Sequence, residues 1–132
     1  MPTIFTRIIE GEIPGAFVLR DELCAVFMAK DPLATGHALV VPRAEVDHWI
    51  ELDDDLLAHL MSVSRRVGAA QQRAFDSDRV GIIVAGYEVP HVHLHVVPTT
   101  SMRDFDFSRT ERDAPLPKLE AAAKAIRDRL EL

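Results

Sequence analysis

The chain has little of several things. It holds one cysteine, Cys24, among 132 residues, so no internal disulfide forms. With apolar neighbours Leu23, Ala25, Val26 and Phe27, a buried thiol in a reducing, cytoplasmic setting is the expectation. No stretch approaches the roughly 18 apolar residues of a membrane span, and the opening Met-Pro-Thr-Ile-Phe-Thr-Arg lacks the basic and apolar regions of a signal peptide. There is no basic surplus: the formal net charge is −6 and no Lys/Arg run stands out. A nucleic-acid polymer is therefore not the expected partner, although a local site can still attract a small anion. Repeats and low-complexity tracts are absent.

What is there suits one domain over 1–132: 48% hydrophobic and 27% charged residues, enough to build a core without metal or disulfide staples. Ile4 to Glu10 reads as a short helix ended by Gly11 and Ile13-Pro14-Gly15. Phe17–Arg20 and Leu23–Met28 read as a hairpin around Asp21-Glu22, and His37–Val41 as a strand stopped by Pro42. Leu56, Leu60, Val63, Val67, Ala70 and Ala74 recur at helical spacing behind Asp53-Asp54-Asp55, whose carboxylates suit a helix start. Val80–Ala85 and His91–Val97 are further strands, with Pro98 closing the second. Ser101–Pro117 is polar and extended, free to fold over a site or a partner subunit. Leu119–Leu130 is a terminal helix. This order predicts an α+β domain with a largely antiparallel sheet.

The informative segment is His91-Val92-His93-Leu94-His95-Val96-Val97. In a strand, alternate side chains share a face, so His91, His93 and His95 line one face about 7 Å apart while Val92, Leu94 and Val96 enter the core. Three imidazoles in a row are hard to explain as packing, since each brings a donor and an acceptor that need partners. Two chemistries fit. One is metal ligation by His91, His93, His95 or His37, though no carboxylate or cysteine motif of ligand spacing accompanies them. The other is nucleophilic attack on phosphorus by a neutral imidazole, with flanking imidazoles steadying phosphate oxygens.

His-φ-His-φ-His-φ-φ resembles the signature of the histidine-triad (HIT) family of nucleotide hydrolases and transferases. Gly36-His37-Ala38-Leu39-Val40-Val41-Pro42-Arg43 is similar to that family's Gly-His-x-Leu-Val-x-Pro-Lys strand. Ile4 to Pro14 resembles its opening helix and turn, and Gly86 with Glu88-Val89-Pro90 its approach to the triad. These blocks span about 4–100, leaving 101–132 as an extension and helix. The resemblance implies a five-stranded antiparallel sheet with a main helix and a C-terminal helix on one side, and a homodimer. It implies a small nucleotide-like substrate, and His93 as nucleophile toward its α-phosphorus through a nucleotidyl-histidine. His91 and His95 would orient the site, with His37 beside the phosphate. No cofactor is implied.

The chain also departs from the pattern. Ala29 stands where nucleoside-binding members carry a ribose-gripping Asp. Tyr87 replaces the Gln before the triad and is a candidate to stack on a base or donate to phosphate. Glu88 replaces the serine of the phosphoramidate branch. Thr3, Thr6 and Glu45 occupy positions where zinc-bearing relatives have Cys, Cys and His, so a structural zinc is not expected. Among other residues, Trp49 is expected in the core or stapling the main helix, while His59 and Arg43 are expected at the surface.

Overall fold

A computed structural model describes residues 1–131. Its elements are α1 (Ile4–Ile9), β1 (Phe17–Arg20), β2 (Cys24–Met28), β3 (Ala38–Pro42), α2 (Asp54–Ala74), β4 (Arg79–Ile83), β5 (Leu94–Thr99) and α3 (Leu116–Arg127). The five strands form one sheet in the order β1-β2-β3-β5-β4, and every neighbouring pair is antiparallel. The α+β, five-stranded antiparallel architecture with a main and a C-terminal helix is thus the one the sequence implied.

β2, β3 and β5 are buried along their whole length. That requires cover on both faces, which is why they read as continuous apolar runs rather than alternating ones. On one face Leu60, Val63, Val67 and Ala70 of α2 and Ala123 and Ile126 of α3 pack over Val26, Val40, Leu94 and Val96. Burying such side chains contributes on the order of 1.5–3 kcal/mol each. Asp53 starts α2 as the sequence suggested, its Oδ1 accepting from Leu56 N–H at 2.8 Å. On the other face Phe5 and Ile9 of α1 cover Ala25, Phe27, Leu39 and Val41. The expectation of helices on one side therefore holds for α2 and α3 but not for α1.

Several boundaries move. β5 begins at Leu94, so His91 to His93 approach it as extended chain outside the ladder. β3 has ended at Pro42, and the backbone there finds other partners: Val92 N–H donates to the Val46 carbonyl at 2.7 Å. Pro98 does not close β5. The Thr99 carbonyl accepts from Asp78 N–H on the β4 side, so residue 98 faces the opposite side, beyond the end of β3, where a missing N–H costs nothing. The stretch after β5 is not simply extended: it forms short 3₁₀ turns at Met102–Phe105 and Phe107–Arg109.

Two side chains differ from expectation, while Arg43 is exposed as expected. Trp49 sits in a 3₁₀ turn before α2, 43% exposed rather than in the core. His59 reaches from α2 to Asp21 Oδ2 at 2.7 Å, pinning the helix to the β1–β2 hairpin. Arg43 Nε donates to the Asp21 carbonyl at 2.7 Å.

Candidate active site

The triad face is dense with committed hydrogen bonds, and these fix which nitrogens remain free. Leu33 N–H donates to His37 Nδ1 at 2.9 Å. A backbone N–H can only donate, so His37 carries its proton on Nε2. That Nε2–H points at His95 Nδ1, 2.9 Å away, which leaves the His95 proton on its own Nε2. His95 Nε2 is buried and has no hydrogen-bond partner among the described residues. A donor is thereby aimed at whatever enters the site, and leaving it unpaired costs on the order of 1–3 kcal/mol. Burial pushes the basicity of His37 down to about 3, with His95 and His93 adding to it. Burial and then His93 take His95 down to about 4. Both rings are neutral at pH 7.

His93 has the opposite pattern. Its Nδ1–H donates to the His91 carbonyl at 2.8 Å, so a neutral His93 presents a lone pair on Nε2. The His93 side chain borders the cleft, with Glu88 Oε2 3.2 Å from Nε2. His91 has no free nitrogen: Nε2–H donates to the Pro42 carbonyl at 2.7 Å, and Nδ1 accepts from the Thr3 hydroxyl at 2.6 Å. It ties α1 and the end of β3 to the chain that carries His93. The Phe5 ring meets both His91 and His93 edge-on, 5.7 and 4.9 Å between centroids.

His93 and His95 open onto a cleft of about 720 Å³, within the range of small-molecule sites. Its wall is apolar, with Ile4, Phe5, Ile8, Ile13, Phe27 and Leu39, while Lys30, Asp31 and Arg112 stand among its polar residues. Ala29 also lines it, offering no side-chain acceptor. The segment after β5 closes one side: Phe107 packs edge-on against His95 at 5.2 Å between centroids, and Thr110, Arg112 and Ala114 line the cleft.

The structure thus brings His37, His93 and His95 together at the cleft and sets His91 behind them. Tyr87 does not line this cleft: it is 95% exposed and borders a second groove, with His48, Trp49 and the other side of His93. Gly86, at φ +85, turns the chain sharply just before it. Glu88, Thr3 and Gln71 matter more than sequence reasoning indicated. Gln71 Nε2 donates to the carbonyls of Gly36 and Val96, at 2.8 and 2.9 Å, joining the two strands beside His37 and His95. Its signal was an amide inside an apolar helical stripe. Gly36, at φ +92, lies against the Phe75 ring where any side chain would collide.

Metal ligation fits poorly. Glu88, His93 and His95 offer ligand atoms within 4.8 Å of one another. However, binding through His95 Nε2 would require its proton to move to Nδ1. His37 would then need acceptors at both nitrogens, which a neutral imidazole does not have. Thr3, Thr6 and Glu45 do not suit a zinc either: the Thr3 hydroxyl is spent on His91, and Thr3 N–H donates to Glu45 Oε1 at 2.8 Å. Asp21, Cys24 and His59 form another close group. There burial, and then the Asp21 charge, push the Cys24 thiol up to about 12, and Asp21 Oδ2 is taken by His59 at 2.7 Å.

The HIT domain profile matches residues 10–102. The chain belongs to the HIT family. An uncharacterized HIT-like protein of Saccharolobus solfataricus is 34% identical over 112 residues, covering 77% of this chain and 81% of that protein. The adenosine 5'-monophosphoramidase of Saccharomyces cerevisiae is 29% identical over 100 residues, covering 72% of this chain and 61% of that enzyme. The fold matches a Hit-like protein of Bartonella henselae with a TM-score of 0.86 at 27% identity, over 97% of this chain and 96% of that one. The HIT family thus includes nucleotide hydrolases at this level of similarity.

Proposed function

We propose that this HIT protein is a hydrolase or transferase that cleaves a nucleoside phosphoramidate or phosphoanhydride through a nucleotidyl-histidine on His93. The observation that carries this reading is the Nδ1–H of His93 bound to the His91 carbonyl at 2.8 Å. It commits one nitrogen and directs the other, with its lone pair, to the cleft, as a nucleophile needs. His95 Nε2–H, buried and unpartnered, would donate to a phosphate oxygen and gain the hydrogen bond it lacks. His37 holds His95 in that tautomer, and His91 holds the backbone that orients His93. The apolar wall at Phe5, Ile8 and Phe27 suits the flat face of a base. With Ala29 in that wall, the ribose hydroxyls lose a carboxylate contact, so sugar recognition is expected to be loose. Tyr87, on the groove that shares His93, remains a candidate to stack on a base or donate to phosphate.

The 29% identity to a phosphoramidase makes adenosine phosphoramidate the first substrate to try. Measurable turnover by the wild type, abolished in His93→Ala while the variant still binds AMP, is the expected result. Unchanged turnover in His93→Ala would sink the assignment. Glu88 beside the attacking nitrogen favours a second reading, a nucleotide-binding module without turnover; AMP would then raise Tm while no substrate is consumed.

We further propose a homodimer. β4 is an edge strand with Ile82 39% and Met61 45% exposed beside it, the kind of edge proteins cover. No described helix is long and apolar enough to cross a membrane, and the free, buried Cys24 suits the reducing cytoplasm.

A further inference from the structure

His93 and Glu88 meet through atoms that repel unless they share a proton. With Nδ1–H committed to the His91 carbonyl, His93 Nε2 is an acceptor, and so is a carboxylate. Their 3.2 Å contact is attractive only with one proton between them. Among the described residues no other carboxylate touches a nitrogen of His93. Asp31 accepts from Asp113 N–H at 2.8 Å. The other titratable groups on the cleft are His95 and His37 beside His93, with Lys30 and Arg112. Burial alone would push the Glu88 carboxyl up, but its own backbone N–H and the neighbouring histidines outweigh it and hold the group below the usual range. Glu88 is about half exposed, on the loop that follows Gly86, so it has room to move with a ligand.

We propose that Glu88 is the proton carrier of the reaction, giving the leaving group its proton in the first half and taking one from water in the second. The assignment rests on the His93 reading above. A phosphoryl anion entering between the two groups separates the pair. The shared proton then no longer bridges the pair; kept on Glu88, it leaves the lone pair on His93 Nε2 free. As Nε2 bonds to phosphorus, the bond from phosphorus to the leaving atom breaks, and that atom's electron pair takes the proton from Glu88. Glu88 is then a carboxylate and His93 carries the nucleotidyl group. In the second half a water oxygen bonds to phosphorus and Glu88 accepts the water's proton. The phosphorus–nitrogen bond breaks with its electron pair returning to Nε2. One proton again lies between Glu88 and His93, as at the start.

This sets a preference among substrates. An amine leaves phosphorus poorly without a proton, so it needs Glu88. A polyphosphate leaves as an anion and gains little from an acid. The geometry therefore points to phosphoramidates over phosphoanhydrides.

The test compares wild type with Glu88→Gln on two substrates in single turnovers that read nucleotidyl-His93 formation. One is an adenosine 5'-phosphoramidate of an alkylamine; the other is the p-nitrophenyl ester of AMP, whose leaving group departs without a proton. Glu88→Gln is expected to slow the amine substrate by about 10²–10⁴-fold and the ester by less than about tenfold. Equal losses on both substrates would reduce Glu88 to a structural role and overturn the proposal. A faster reaction of the variant with the amine would make Glu88 a mere cap, which also overturns it. Absence of an adduct from either substrate in the wild type would overturn the His93 reading, and this assignment with it.

Discussion

Two faces of the same strand do different work. On one, Val92, Leu94 and Val96 pack beneath α2 and α3, where nearly every partner is apolar and exchange with a similar side chain costs only packing. On the other, His91, His93 and His95 alternate with them, and nearly every ring nitrogen is assigned by a specific donor or acceptor. The apolar face is insensitive to which atom touches which. The imidazole face depends on a relay that begins at one backbone N–H, that of Leu33, and ends at an unpartnered His95 Nε2. Within that face a second contrast appears. His91 has both nitrogens occupied and His93 only one committed to the backbone, although the two are neighbours on the same side of the chain.

Substitutions on either face should separate stability from turnover. The largest effect is expected from His93→Ala: at least a thousandfold loss of cleavage, or about 4 kcal/mol, with Tm moved only a few degrees. Steady-state kinetics and a thermal melt check this together; a variant that unfolds but retains activity per folded molecule would blur the contrast between the faces. Next, Leu94→Ala on the opposite side of the same strand should cost about 2–5 kcal/mol of stability, read as a lowered urea midpoint with unchanged KM. His37→Leu comes third. Loss of the Nε2–H that fixes the His95 tautomer should lower kcat by roughly 10–100-fold, with about 1–3 kcal/mol of stability lost.

The pH dependence follows from the same relay. His37 and His95 stay neutral in the folded protein down to about 3 and about 4, whereas unfolded histidine protonates near about 6.5. Between these limits the unfolded chain binds more protons, so stability is complete above about pH 6.5 and is lost as pH falls toward about 4. Thermal melts should show Tm dropping by several degrees from pH 7 to pH 5, and His37→Leu should flatten that slope. The smallest effect is expected from Thr3→Val, which removes the hydroxyl on His91 Nδ1: about 1 kcal/mol, with turnover within severalfold of wild type.

The alternating histidines were legible because a strand has a period of two, and that period persists through His91–His93 even where the ladder has stopped. The α2 stripe and its Asp53 cap were legible for similar local reasons. What was not legible depends on distant partners. Sequence spacing gives no hint that Leu33 N–H decides the tautomer of His95, or that Thr3 completes His91. Ser101–Pro117 read as a segment free to fold over the site or over a partner subunit, but nothing in it marked Phe107 as the residue reaching His95. Trp49 was expected in the core or stapling the main helix, yet it is 43% exposed, on a groove it shares with Tyr87 and His93.

The most direct test of the central claim is to locate the phosphorus. The protein is exposed briefly to adenosine phosphoramidate at neutral pH and rapidly quenched without acid, then read by intact mass and by phosphorus–proton correlation NMR of the trapped species. The account predicts a single nucleotidyl group on Nε2 of His93, with Nδ1 still protonated. Phosphorus on Nδ1, on another histidine, or absent while substrate is consumed would contradict it.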